Sequence, residues 1–517
     1  EEPARLHAET VENPGTMFRR RAVFPADSVL VKTLSLETER GKPDSRRRIE
    51  TQLLHYTGRQ WRGYSYAWNE SQTDAALVGT TGAERTIPVL DPQSPGGRRE
   101  HRWRFHSRGE CMICHNPWAE HAIGFQAAQL DRPVETSGAT SQLAAWQSSG
   151  LLSLAGDVLK GLKPGAGRIV DPYDESKPLD ERARSYLHVN CAHCHQLGAG
   201  GTADFDVRHT LPLAETKLVD KPPLQGTLGI DAARLVAPGD PYRSVLFYRM
   251  AKMGRGRMPH IGAELVDERG VRLMRDWIRQ LPGRAPPSLD EPARRTFSEP
   301  AKGRDAAAAL LGTTSGALWL ADAIAAPEIS PQRREEVVAA AMDRSEPHIR
   351  ELFLRFVPDA RRPKTLGATV DVQALLKLNG DAGRGRALFF STGAQCKNCH
   401  RVGSEGSALG PDLTQIGKKY PKAQLLETIL EPSKVIDAKY QAYQLLTAGG
   451  ETHLGLLVER TEVAIVLRDA QDKLIRVPAA DVAEFRPRAQ SLMPDLMLKD
   501  LTAEQAADLL AYLESLK

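Results

Sequence analysis

Hydrophobic positions recur along this chain with two periods. Over 48–56 they alternate, so Ile49, Thr51, Leu53 and His55 share one face of a predicted strand and Glu50, Gln52, Leu54 and Tyr56 the other. An extended run over 22–36 and an aromatic, strand-prone stretch over 61–68 belong to the same β-rich region. Pro92-Gln93-Ser94-Pro95-Gly96-Gly97 reads as a loop within it. Further on the period lengthens. Val271, Met274, Trp277, Ile278 and Leu281 recur at three- and four-residue spacing, predicting a helix over 267–281 with one buried stripe. Helices are also expected over 180–189, 305–311, 316–325, 331–342, 347–356, 382–392 and 502–516, the last opened by a Thr502/Gln505 capping box. Residues 438–477 return to strand character, with turns at Ala448-Gly449-Gly450-Glu451 and Asp469-Ala470-Gln471-Asp472.

These elements predict a multidomain α+β chain. A β-rich N-terminal domain spans 1–179, a small helical domain 180–285, and a proline-rich linker with an Ala/Leu-rich helical spacer or docking module 286–370. A second helical domain spans 371–517, with a β insertion at about 438–488. At 517 residues each part is large enough for its own core. No apolar run approaches the roughly 20 residues of a membrane span, and no basic patch with interleaved aromatics suggests nucleic acid. Glu1-Glu2-Pro3 is not a translation start and fits a mature N-terminus left by signal-peptide removal, or a fragment of a longer protein.

The cysteines change the picture most. All six fall in three copies of Cys-x-x-Cys-His: Cys111/Cys114/His115, Cys191/Cys194/His195 and Cys396/Cys399/His400. Two thiols at this spacing form thioethers to porphyrin vinyl groups, and the adjacent histidine binds iron, so the pattern is the attachment signature of c-type haem. Chance supplies about 0.002 such motifs in a chain of this composition. A zinc ribbon needs paired Cys-x-x-Cys units and shorter loops, a thioredoxin motif does not call for the histidine, and a disulfide has no use for it. Three covalent haems are therefore expected, attached outside the cytoplasm, which predicts a periplasmic or extracellular protein. Each ferric haem with ionised propionates adds about −1, which brings the formal charge of +4 close to neutral.

Axial ligands can be sought by register. Met258-Pro259 precedes the predicted helix start at Asp267 by nine residues, and Met493-Pro494 precedes Thr502 by nine. Ten residues further lie Trp277 and Tyr512, aromatics placed to pack on the preceding helix at Tyr186 and at Phe389 or Phe390. Met258 and Met493 are accordingly the expected distal ligands of the second and third haems, where a thioether raises the potential relative to a second histidine. The first haem has no local Met-Pro loop. Its candidates are His55 first and His188 second, followed by His121, His106 and Met17, or the position is open. Arg255 and Arg257 flank Met258 and suit haem propionates, an acidic partner or plain solvation equally.

Residues about 20–285 resemble the di-haem cytochromes found beside, or fused to, periplasmic sugar dehydrogenases of the pyrroloquinoline-quinone type. The resemblance lies in Arg48-Ile49-Glu50-Thr51, Tyr64-Ser65-Tyr66-Ala67-Trp68-Asn69-Glu70, Tyr186-Leu187-His188-Val189-Asn190 and Arg257-Met258-Pro259-His260-Ile261-Gly262. Residues about 305–517 are similar to the haem-binding domain common in planctomycete and verrucomicrobial bacteria, through 382–390, Gly410-Pro411-Asp412-Leu413, Glu431-Pro432-Ser433 and Met493-Pro494. These resemblances imply redox partner proteins, with a quinoprotein sugar dehydrogenase as a candidate donor. The dehydrogenase propeller that often accompanies the first family is absent from this sequence.

The leading expectation is an electron carrier rather than an enzyme, since no nucleophile–base set, hydrolytic carboxylate pair or phosphate loop is present. The alternatives are a peroxidase-like enzyme with an open first haem, served by Glu120 or His121, and a homo-oligomeric assembly whose haems form a chain.

Overall fold

The computed structural model describes residues 4–7, 22–92, 94, 97–115, 121–132, 134, 141–155, 169–196, 205–223, 226–263, 265–283, 288–299, 301–367, 370–391, 396–448, 452–469, 474–488, 491–493 and 497–517. Among these residues no helix is long and apolar enough to cross a membrane.

The β-rich N-terminal part is built on an antiparallel sheet, in the order Val29–Glu37, Arg46–Tyr56, Trp61–Trp68, Ala75–Leu77. A second hairpin, Ala83–Leu90 with Arg98–Phe105, closes over it. Between them lie Ile49, Ile87 and Phe105, flanked by Leu36, Ala67 and Trp103. One irregularity reverses a simple reading of the alternation. Leu34 pairs with Glu50 but Ser35 pairs with Arg48, so Ile49 is an extra, bulged residue. Beyond a bulge, side chains that would have shared a face are separated. Ile49, Glu50 and Leu54 are buried. Thr51 and Leu53, by contrast, pair with Thr33 and with Val31, which is 64% exposed. His55 therefore does not share the buried side of Ile49; it pairs with half-exposed Val29 on the outer face.

In the second part, a leading helix Leu179–Cys191 is crossed by a closing helix Glu268–Gln280. The predicted stripe is buried: Val271, Met274, Trp277 and Ile278 are at most 2% exposed and Leu281 9%. Each such side chain contributes on the order of 2 kcal/mol. At the crossing Gly270 has no room for a side chain, since a Cβ would lie 2.4 Å from the Tyr186 hydroxyl. That hydroxyl donates to Asp267, whose carboxylate also caps the closing helix at Arg269 and Gly270 N–H. Trp277 meets the leading helix through its indole N–H, which donates to Asp180 at 2.8 Å.

The Ala/Leu-rich helices Gly303–Leu310, Thr314–Ala323, Pro331–Met342 and Pro347–Phe353 do not stand apart as a spacer. Leu310, Leu318, Leu320, Leu352 and Phe353 share one continuous core with Tyr186, Phe247, Tyr248 and Trp277.

The last part repeats the crossed pair with helices Ala382–Phe390 and Ala503–Ser515. Here the close approach is at Gly385, where a Cβ would fall 1.9 Å from the Asp508 carbonyl oxygen. Tyr512 packs on Phe389 and Phe390, with ring centroids 5.6 and 6.5 Å away, and Arg384 pairs with buried Asp508 at 2.7 Å. Between the helices is inserted a five-stranded antiparallel sheet, in the order Leu474–Pro478, Ala464–Arg468, Thr452–Arg460, Ala442–Thr447, Val482–Pro487. It has its own small core of Leu445, Ile465, Leu467 and Val477.

Candidate haem sites

The three motifs fold alike although they sit in different surroundings. In each, the histidine N–H donates to the carbonyl of the first cysteine four residues earlier: His115 to Cys111 at 3.0 Å, His195 to Cys191 at 2.8 Å, His400 to Cys396 at 2.9 Å. That bond closes one helical turn. Residues at i, i+3 and i+4 of such a turn lie on one face, so both thiols and the imidazole of each motif project to the same side. None of the six cysteines is joined in a disulfide among the described residues. Burial pushes Cys111, Cys114 and Cys396 up to about 11, and Cys191 and Cys194 to about 12; Cys399 moves the same way. The chemistry of this donor set fits covalent haem: two neutral thiols and an imidazole on one side of a rigid turn.

The first motif lies on the helix Arg108–Cys114, opened by a capping box between Ser107 and Glu110. Burial raises the Glu110 carboxyl, but Arg104 and the Ser107 N–H outweigh it and hold the group below its usual range. The Arg104–Glu110 pair, at 2.9 Å, is itself nearly fully buried. Ser107-x-x-Glu110 is the spacing by which the sequence itself marks this helix start. The helix packs on the sheet at Gly63, where a Cβ would sit 2.7 Å from that of Cys111. Gly63 pairs with Leu54, on the inner face. His115 Nδ1 donates to the carbonyl of His121 at 2.5 Å, which leaves Nε2 for a ligand.

The second motif ends the leading helix. His195 stacks on Phe205, with centroids 4.4 Å apart and planes at 13°. Burial, then the charges of His193 and Arg249, push it down to about 4, so the imidazole is neutral, the form that binds metal. The third motif makes a single turn, Cys396–Asn398. His400 Nδ1 donates to the Pro411 carbonyl at 2.9 Å, and Gly410 lies so close that a Cβ would stand 2.9 Å from His400 Cε1. Burial likewise lowers His115 and His400.

Met258 is half-buried on a loop tied back to the helix Val245–Ala251, its N–H donating to the Arg249 carbonyl at 3.0 Å. Arg249 is also the residue whose charge reaches His195, so the loop and the second motif meet at a common neighbour. Met493 is half-buried, its N–H held by Ser491 Oγ at 3.1 Å, and Ser491 in turn by Ser433; Pro494 lies outside the described residues.

The candidates for the first haem separate clearly. His55 is not brought to the motif: it sits across the sheet from Cys111, and its Nε2 meets Asp27 at 3.2 Å. His188 is buried near the segment that follows the motif, with Nε2 on Gln126 at 2.8 Å and Nδ1 accepting the His209 N–H. His121 is behind His115, its carbonyl receiving the Nδ1–H and its ring 6.4 Å from Trp61. His106 precedes the motif, and its carbonyl accepts the Ser65 hydroxyl. Met17 and Glu120 lie outside the described residues.

The first motif neighbours the second, and the Met258 loop neighbours the third. The charge of His115 bears on His193, and Cys114 on Cys194. Arg255, from the Met258 loop, donates to Ser391 Oγ at 3.1 Å and lies near Cys396, while His260 is close to Lys499 and Asp500.

A cytochrome c family model matches residues 382–454. The match takes in the leading helix and third motif and stops within the inserted sheet, short of Met493 and the closing helix. No curated protein matches the chain. Residues 382–454 are thus a cytochrome c domain, which implies covalently bound haem c, a role in electron transfer and redox partner proteins.

Proposed function

We propose that the whole chain is a tri-haem c-type cytochrome. It would carry electrons between a periplasmic dehydrogenase, or another quinol-side donor, and a downstream acceptor. The observation that carries this reading is the one-turn hydrogen bond shared by three Cys-x-x-Cys-His units, one of them inside the matched cytochrome c domain. Cys111 and Cys114, Cys191 and Cys194, and Cys396 and Cys399 are the attachment pairs. His115, His195 and His400 are the proximal ligands, with Met258 and Met493 distal in the second and third sites.

Haem c supplies an iron that exchanges single electrons without bond making. The chain's own residues orient and shield it. The His121 and Pro411 carbonyls fix the tautomer of His115 and His400, burial keeps the imidazoles neutral, and crossed helices enclose the second and third sites. The proximity of the first motif to the second, and of the Met258 loop to the third, supports a path in chain order. A quinoprotein sugar dehydrogenase is the donor class to which the N-terminal resemblance points, and the periplasm or cell surface the compartment.

The test is haem stoichiometry by mass and pyridine haemochrome, with Cys→Ala pairs in each motif, followed by ferric electron paramagnetic resonance and carbon monoxide binding. Three haems, one lost per mutated motif, are expected. Fewer in the wild type overturn the reading, and an open haem turning over peroxide would make the chain an enzyme.

A further inference from the structure

We propose that His193, inside the second motif, is the sixth ligand of the haem held by Cys111, Cys114 and His115. The assignment rests on the reading of the first motif as a haem site. It answers the question that the missing Met-Pro loop leaves open.

Four observations converge on His193. Its Nδ1 is buried and has no hydrogen-bond partner among the described residues. Its side chain lines a small cavity with Ile123 and Gln126, from the segment after the first motif, and with His188 from the leading helix of the second. Cys194, its neighbour in sequence, lies close enough to Cys114 to feel its charge, and His193 itself lies within reach of the charge of His115. It also cannot serve its own haem: residues two apart on a helical turn do not face each other, and His195 already occupies that side against Phe205.

The rival histidines are committed elsewhere. His121 stands on the Nδ1 side of His115, away from the nitrogen left for a ligand. Both ring nitrogens of His188 are engaged, with Gln126 and with the His209 N–H. His55 is on the far face of the sheet.

Two consequences follow for the path. The ligand of the first haem is peptide-bonded to Cys194, which anchors the second haem, so the two centres share a short covalent bridge. Ligation by two histidines also lowers the first potential relative to the two Met-ligated haems, which orders the chain from first to third.

The experiment is His193→Ala in the full, haem-loaded chain. The wild type is expected to hold three haems, all low-spin when ferric, with none binding carbon monoxide when ferrous. His193→Ala is expected to keep three haems but turn one high-spin and carbon-monoxide-binding, with added imidazole restoring the low-spin signal. His193→Met is expected to stay low-spin and raise one potential, and His188→Gln to leave the spectra unchanged. Three haems with an open site in the wild type, or three low-spin haems in His193→Ala, overturn this assignment alone. A wild type with no haem on Cys111 and Cys114 overturns it together with the tri-haem reading.

Discussion

His115 and His121 are tied to each other twice: the Nδ1–H of each ring donates to the other's carbonyl oxygen, at 2.5 and 2.7 Å. The reciprocal pair closes the loop after the first motif and holds His121 at φ 59°, in the left-handed region. One residue thus supplies both the backbone kink and the acceptor that orients the proximal imidazole.

A β-branched residue at that φ is strained by about 1–3 kcal/mol. His121→Val is therefore expected to lower the thermal midpoint of the N-terminal part and, in the tri-haem cytochrome proposed above, to raise the potential of the haem at Cys111 and Cys114, because a less firmly bonded imidazole is less basic. His121→Gly keeps the carbonyl and accepts the φ, so its shift in potential is expected to be smaller. Spectroelectrochemistry of both variants checks this.

Gly385 and Gly383 lie on the same helix and predict opposite outcomes. A Cβ at Gly385 would meet the Asp508 carbonyl at 1.9 Å and Tyr512 Cβ at 2.7 Å, whereas one at Gly383 has Asp381 Oδ1 nearest, at 3.3 Å. Gly385→Ala is expected to cost about 1–3 kcal/mol by forcing the helices apart. Gly383→Ala should be neutral or gain up to about 1 kcal/mol from helix propensity. Denaturation must be followed by circular dichroism or the third haem, since no tryptophan lies beyond Trp319.

Asp412 sets an acid dependence for the third site. The Thr414 hydroxyl, then the Thr414 N–H and Arg401, lower its carboxyl to about 2, against about 3.9 in an unfolded chain. A depressed carboxyl stabilises the fold above its unfolded pKa and loses that contribution as pH falls through the folded one. The loop carrying the Pro411 carbonyl is expected to loosen from about pH 4 to about pH 2, and Asp412→Asn to flatten that window while lowering stability at neutral pH. Acid titration of the third segment by circular dichroism is the measurement.

Lys252 and Glu351 join the helix ahead of the Met258 loop to the docked helices. Lys252 is buried, its ammonium paired with Glu351 and also donating to the Arg255 carbonyl. Lys252→Met leaves Glu351 uncompensated and is expected to cost roughly 3 kcal/mol. Adding Glu351→Leu should recover part of that loss, and a double-mutant cycle of chemical denaturation reads the coupling.

Helices with one buried stripe were legible from period alone, because residues three and four apart share a face whatever lies opposite. The 267–281 stripe and the Thr502/Gln505 box both appear where the pattern puts them. The strand face of His55 was misread for a local reason: a single bulged residue, Ile49, breaks a period-two count and leaves no mark in the spacing. What the Ala/Leu-rich helices pack on was equally invisible, since an apolar stripe says that something covers it and not what.

By itself the sequence determined where the three Cys-x-x-Cys-His units stand and the local geometry of each. Two cysteines and a histidine within one turn are brought together by local backbone geometry, whatever the rest of the chain does. Tertiary structure alone decided which sheet face receives the first motif, and that His193 and not His55 lies toward it. It also decided that the first motif neighbours the second and that the Met258 loop neighbours the third. Those outcomes depend on contacts between residues far apart in sequence, where a bulge, a glycine at a helix crossing or a buried ion pair selects one packing over another.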